Sequence, residues 1–290
     1  MPEVAGRPLP LSTTLLASLA MLAFAGNSVL CRLALAETQI DAVSFTVLRI
    51  ISGALLLWAL LARRKRSRAK AGNWAGALAL TVYAAAFSFA YIQLDTGVGA
   101  LLLFGAVQLS MLLFGLLRGE RLGPAATAGL ILAMAGVVAL LLPGSSAPPL
   151  MSSLVMLLSG LAWGAYSLLG RSTRDPLAST TDNFLRSIPL VLLAALPFLD
   201  QVHWDTTGAL LAVLSGAVTS GLGYAIWYSA LRGLGSIQAA SIQLSVPILA
   251  AAAGMLLFNE PLTPRVLIAA AAVLGGLTLV LKARNLKSRA

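Results

Sequence analysis

The chain has 290 residues, 59% of them hydrophobic and only 10% charged, with a mean hydropathy of +0.90. Soluble domains carry about 25% charged residues, so this composition excludes a soluble protein and requires one that sits in a bilayer. A net charge of +10, one cysteine (Cys31) and one histidine (His203) exclude a disulfide framework, a Cys or His metal cluster, and any triad that needs a second histidine.

A spanning helix needs about 20 apolar residues to cross about 30 Å of hydrocarbon. Ten segments meet that requirement in chain order: residues 12–35, 41–62, 73–94, 97–117, 123–142, 150–171, 179–199, 207–231, 235–258 and 263–282. The connections are short and carry turn and charge signals, as in RRKRSRAK at 63–70, RGERLGP at 118–124, PGSSAPP at 143–149, RSTRDP at 171–176 and NEPLTP at 259–264. No room is left for a soluble domain. The first segment is too long for a signal-peptide core and lacks a cleavage site, so it is expected to be a mature span.

Lys and Arg are distributed unevenly about these spans. Sixteen of the twenty fall on the side that receives both termini and the 2–3, 4–5, 6–7 and 8–9 connections; Arg32 and Arg265 lie on the other side, and Arg49 and Arg186 inside spans. The positive-inside rule then puts both termini in the cytoplasm. The basic run at 63–70 follows from insertion and needs no nucleic acid.

The sequence repeats itself at an offset near 138. Phe24, Ser28 and Arg32 recur as Trp163, Ser167 and Arg171; Leu48-Arg49 recurs as Leu185-Arg186; Phe87, Tyr91 and Leu94 recur as Tyr224, Tyr228 and Leu231; Glu120-Arg121-Leu122 recurs as Glu260-Pro261-Leu262. Four matches in order read as a duplication of five spans, residues 1–145 and 146–290. Five is odd, so the second copy enters the bilayer inverted. Inverted repeats are characteristic of secondary transporters, which bind solute near the midplane between the halves.

Two five-span copies, the segments AFAGNSVLCR and AWGAYSLLGR, an Arg near the start of spans 2 and 7, and the turns GERLGP and NEPLTP resemble the drug/metabolite transporter superfamily over essentially the whole chain. The likeness is greatest to the ten-helix EamA-type exporters, those for aromatic amino acids among them. The resemblance implies an all-α membrane fold and export of small metabolites across a bacterial inner membrane. The proline such proteins tend to show before the Glu turn is present in span 9 as Pro247, whereas span 4 has Val107-Gln108 there, so the two copies are not expected to kink alike.

Intramembrane polar and aromatic residues are the candidates for the solute site. Phe24, Asn27 and Ser28 share a face of span 1; Trp163, Tyr166 and Ser167 share the matching face of span 6; Tyr83 and Phe87 with Tyr91 line span 3; Tyr224 and Trp227 with Tyr228 line span 8; Gln108 and Gln243 lie mid-span in 4 and 9. Such a set suits an apolar or aromatic solute with one polar end. Plainer roles stand beside each: interfacial belts for Tyr91 and Tyr228, back-bonding to a carbonyl one turn earlier for Ser28 and Ser167, and interhelical hydrogen bonds for Asn27, Gln108 and Gln243. Trp58 and Trp74, at span ends, read as belt anchors. Arg49 and Arg186 read as gate elements or as snorkelling charges, with Asp182 in reach of Arg186 and no acid at that spacing from Arg49.

No Asp or Glu falls at mid-span, which argues against a buried proton carrier and against cationic drugs. The expectation is a non-enzymatic transporter for a small neutral or zwitterionic molecule, without cofactor or metal, embedded in lipid, with no nucleic acid and no obligatory protein partner. A carrier of nucleotide sugars, a proton-coupled exporter and a membrane scaffold remain the alternatives. An intramembrane enzyme would need a mid-span nucleophile with a base, which Cys31 and His203 do not supply.

Overall fold

The computed structural model describes residues 11–64, 72–119, 121–170, 173, 175–234 and 236–289. Expectations that fall on Arg7, Lys65, Arg66, Arg68, Lys70, Glu120, Arg171 and Arg174 lie outside the described residues.

Ten helices long and apolar enough to cross a membrane make up the described chain: α1 Leu11–Glu37, α2 Ala42–Ala62, α3 Trp74–Tyr91, α4 Thr96–Leu117, α5 Pro124–Leu141, α6 Leu150–Gly170, α7 Pro176–Gln201, α8 Thr206–Leu231, α9 Gln238–Phe258 and α10 Pro264–Ala283. Helices are the expected solution here, because lipid offers no partner for backbone N–H and C=O groups. Their starts follow from short polar residues that accept the orphan N–H groups of a first turn. Asp41 accepts from Val43 and Ser44 at 2.9 and 2.8 Å, Asn73 from Gly76 at 2.7 Å, Asp175 from Ala178 at 3.2 Å and Asp205 from Gly208 at 2.6 Å. Pro124, Pro176 and Pro264 open α5, α7 and α10, where the missing N–H costs nothing. Pro176 explains why α7 starts three residues before its expected edge at 179: the proline read as part of the loop is the first helical residue.

Three spans are irregular. Leu196–Gln201 at the end of α7 is a 3-10 helix. Residues Ser215–Leu222 of α8 form a π-helical segment. The α9 region breaks at Leu244, between the segments Ser236–Gln243 and Ser245–Phe258, while α4 runs unbroken. Pro247 accounts for the break, since it has no N–H for the Gln243 carbonyl four residues earlier and its ring crowds that carbonyl. The asymmetry expected from the single Pro247 is therefore present.

Packing obeys the repeat. Helices α2 and α7 pair with each other, as do α4 and α9, and α5 and α10; α1 packs on α8 as α6 packs on α3, and α1 on α9 as α6 on α4. For these pairs, exchanging each helix for the one five places away reproduces the same neighbours. Small residues allow the closest crossings: a Cβ on Gly216 of α8 would run into the Arg49 carbonyl and Ser52 of α2, and one on Gly160 of α6 into the Leu103 carbonyl of α4. Gly160 and Gly164 thus serve contacts within the chain. Large apolar side chains such as Leu55, Leu113, Leu132 and Leu256 face outward, as a lipid-solvated surface requires, and Trp58 and Trp74 are exposed at helix ends.

Candidate functional site

Midway along the helices, five spans from both copies enclose a small cavity lined by Phe24 and Asn27 of α1, Tyr83 and Phe87 of α3, Leu103 and Phe104 of α4, Trp163 of α6, and Thr219 and Tyr224 of α8. About 20 Å³ of it is open to the centre of a water molecule, room for about one. The rings form a connected wall. Trp163 lies 4.8 Å from Tyr83 and 5.0 Å from Tyr224, and Phe24 meets Tyr224 edge-on at 5.9 Å. Repeat-related residues sit together in it, Phe24 with Trp163 and Phe87 with Tyr224, so each copy supplies half of the wall.

A buried polar network backs this wall. Asn27 Oδ1 accepts from Ser215 at 2.7 Å and Thr219 at 3.2 Å, while its Nδ2 donates to Tyr83 OH at 3.5 Å. Arg49 Nη2 donates to the same Tyr83 OH at 2.9 Å, and its Nε to Ser220 Oγ at 3.4 Å. The guanidinium lies 4.8 Å from the Phe87 ring centroid and 5.2 Å from that of Tyr83. Tyr83 and Ser220 are themselves repeat equivalents at the offset that relates Arg49 to Arg186, so Arg49 stands where the two copies meet.

Several expected site residues take other places. Tyr166 is buried behind Trp163, stacked on it at 5.4 Å, with its hydroxyl 3.4 Å from Thr180 Oγ1. Trp227 buttresses Phe24 at 6.0 Å. Ser167 bonds the Trp163 carbonyl at 2.8 Å, the back-bonding role. Ser28 is buried without a partner for its hydroxyl. Gln108 is buried and Gln243 half-buried, and neither lines the cavity. The belt position weighed for Tyr91 is wrong: it is fully buried, packs on Phe87 at 4.8 Å and donates to the Thr96 carbonyl at 3.2 Å, because the chain turns back into α4 immediately after it. Tyr228 is half-buried against the core. Arg186 makes a two-pronged bond to Asp182 of its own helix, 3.1 Å at each nitrogen, and lies over Trp74 of α3 in the other copy. Arg49 is buried behind the cavity wall, bonded to Tyr83 of its own copy and Ser220 of the other.

Ser215, Thr219 and Ser220 were missed in the sequence. Their signal is a run of polar and small residues, SGAVTSGL, in the middle of an otherwise apolar span. The π segment they occupy turns all three toward Asn27 and Arg49, a frequent use of such segments at working sites.

The copies are tied to each other beyond the cavity at both ends. At one, Arg32 reaches Glu260, and Asp41 Oδ2 accepts from the His203 N–H at 3.0 Å. At the other, Gly72 N–H donates to Asp182 at 3.1 Å, Asn73 N–H to Asn183 at 2.9 Å, and Arg64 lies 3.6 Å from Asp175. With so little space between, the cavity has no room for a solute much larger than water.

The EamA-like transporter family matches the chain twice, at residues 11–142 and 150–282. The chain belongs to the EamA-like transporter family. As an EamA-like protein of the drug/metabolite transporter superfamily it is a multi-pass membrane transporter of two homologous halves. An uncharacterized protein of Pseudomonas aeruginosa is 62% identical over 273 residues, 94% of this chain and 95% of that one. An uncharacterized transporter of Archaeoglobus fulgidus is 26% identical over 266 residues, covering 86% and 90%. One crystal structure superposes with a TM-score of 0.66 over 95% of this EamA-like chain and 99% of the other at 22% identity, a likeness of fold.

Proposed function

We propose that this transporter exports small neutral or zwitterionic metabolites, amino acids including aromatic ones, from a bacterial cell across its inner membrane. The two halves, residues 1–145 and 146–290, rock about the midplane cavity to give alternating access. The observation that carries this reading is the wall itself: Phe24, Phe87, Trp163 and Tyr224 offer aromatic surface from both copies, with Asn27 and Thr219 adding a few polar atoms. That is the chemistry of a pocket for a flat apolar body with one polar end. Orientation with both termini cytoplasmic rests on the excess of Lys and Arg in the connections on that side.

Transport is not directly coupled to protons. No residue lining the cavity is an Asp or Glu, so no carboxylate there can exchange a proton for solute. Purified protein in liposomes is expected to exchange labelled L-tryptophan or L-phenylalanine against the unlabelled amino acid, without dissipating an imposed pH gradient. Absence of exchange refutes the substrate class, and solute-dependent collapse of the gradient refutes the uncoupled mechanism.

A further inference from the structure

Three buried side-chain polar atoms have no hydrogen-bond partner among the described residues: Ser28 Oγ, Arg49 Nη1 and Tyr224 OH. The second is a charged group with 2% of its surface exposed. A cation left unpaired away from water is among the most unfavourable features a fold can keep. Its repeat equivalent shows how that is ordinarily avoided. Arg186 pairs with Asp182, one turn earlier; the position one turn before Arg49 is Phe45, which is fully buried. No carboxylate among the described residues pairs with Arg49.

The atoms around Arg49 share a polarity. Tyr83 OH accepts from Arg49 and Asn27, and its hydroxyl adjoins that of Tyr224. Tyr224, which shares the cavity wall with Tyr83, has an unpartnered hydroxyl. Asn27 Oδ1, the amide oxygen of the wall, is taken by Ser215 and Thr219. The wall and the Arg49 guanidinium directly behind it therefore hold unused donor capacity, one of the donors on a cation. A planar anion with two oxygens complements a guanidinium edge flanked by hydroxyls.

We infer that Arg49, with the Tyr83 and Tyr224 hydroxyls, is the docking point for the carboxylate of the transported solute, whose apolar body lies against Phe24 and Trp163. This rests on the reading of the cavity as the solute site and narrows its substrates to molecules bearing a carboxylate. Docking also neutralises Arg49, which makes the loaded carrier less costly to rearrange than the empty one.

The test uses the full chain in detergent, in a HEPES buffer free of chloride and carboxylates, with phenylacetate, phenylacetamide, 2-phenylethylamine and sodium chloride as probes. Phenylacetate is expected to raise Tm, and the amide and the amine to leave it unchanged. Arg49→Gln abolishes the shift, and Arg49→Lys, which keeps the charge and loses the fork, reduces it. Tyr224→Phe weakens phenylacetate binding about tenfold, as loss of one bond to a charged group does. The inference is overturned if the amide stabilises as well as the acid, if chloride alone gives the same shift and so assigns the site to an inorganic anion, or if Arg49→Lys and Tyr224→Phe both bind phenylacetate as the wild type does. These two variants carry the test should Arg49→Gln not fold. Uptake of labelled L-phenylalanine by wild-type liposomes separates the two ideas. Phenylacetate binding without amino-acid flux supports the dock and refutes the amino-acid reading; flux with an unchanged KM in Arg49→Lys refutes the dock and supports that reading.

Discussion

Arg32 and Glu260, 228 residues apart, meet where the two copies close at one end of the molecule. Arg32 Nε donates to Glu260 Oε1 at 3.4 Å, and its Nη1 to the carbonyls of Tyr91 and Ile92. Glu260 in turn accepts from the Thr96 N–H at 2.8 Å and its hydroxyl at 3.0 Å, capping the start of α4. One carboxylate thus joins α1, the α3–α4 turn and the α9–α10 turn. Opening at this end must break the set.

Glu260→Ala is expected to favour the open form by about 1–3 kcal/mol, the worth of hydrogen bonds to a charged group. Cys31, buried on α1 beside Arg32, reports it. Its alkylation by a membrane-permeant maleimide should accelerate about fivefold or more in Glu260→Ala, and the Arg32→Ala, Glu260→Ala double variant should gain little beyond the single ones, because the residues share one network. Unchanged labelling in both single variants would refute the latch.

The same carboxylate sets a pH dependence. Burial pushes Glu260 above the ordinary carboxylate range, and the neighbouring Asp95 adds to this; donation from Thr96 and the charge of Arg32 pull it down without reversing the shift. The folded protein therefore binds the proton more tightly than the unfolded chain. Its stabilisation is full below the ordinary carboxylate pKa and is lost as pH rises through the raised value. Tm of the wild type, taken relative to Glu260→Gln, should fall as pH increases through that window. A difference that rises with pH would contradict this.

Arg186 and Asp182 form a pair of a different kind, with side chains 23% and 26% exposed. Partly exposed pairs contribute about 0–1 kcal/mol. Arg186→Gln should lower stability by no more than about 1 kcal/mol, measured by denaturation in detergent, and leave the KM of amino-acid exchange as it was.

Gly216 tests the α2–α8 crossing. A methyl group there meets the Arg49 carbonyl and Ser52, so Gly216→Ala should cost about 1–3 kcal/mol through overpacking and lower exchange by moving Ser215 and Ser220. A Tm and flux equal to wild type would mean the crossing gives way freely.

Much of this was legible in the sequence because it rests on length, hydropathy and repeat. Span edges agree within a few residues, Pro247 marks the broken span, and Phe24, Trp163, Phe87 and Tyr224 come together as the duplication implies. What was not legible depends on helix rotation. Gln108 is as deep and polar as Asn27, yet only Asn27 faces Tyr83. Tyr166 shares a face with Trp163 by helical spacing, but three residues of separation is enough to place one ring at the cavity and the other behind it. Arg49 and Arg186 look alike at equivalent positions; the substitution of Phe45 for an acid one turn earlier divides a cavity charge from a surface pair. Ser215, Thr219 and Ser220 escaped notice because their convergence requires a π turn, which no α-helical period reveals.

That turn has a consequence for how α8 can move. A π segment houses more residues per turn than the α-helix around it, so α8 carries a residue's worth of slack between Ser215 and Tyr224. Taking it up as regular helix would rotate Tyr224 against Ser215 by about 100°, the angle each residue subtends. The hydroxyls that hold Asn27 and the ring that faces Trp163 are thereby geared to one another like two cams on one shaft, set at an angle the backbone can change.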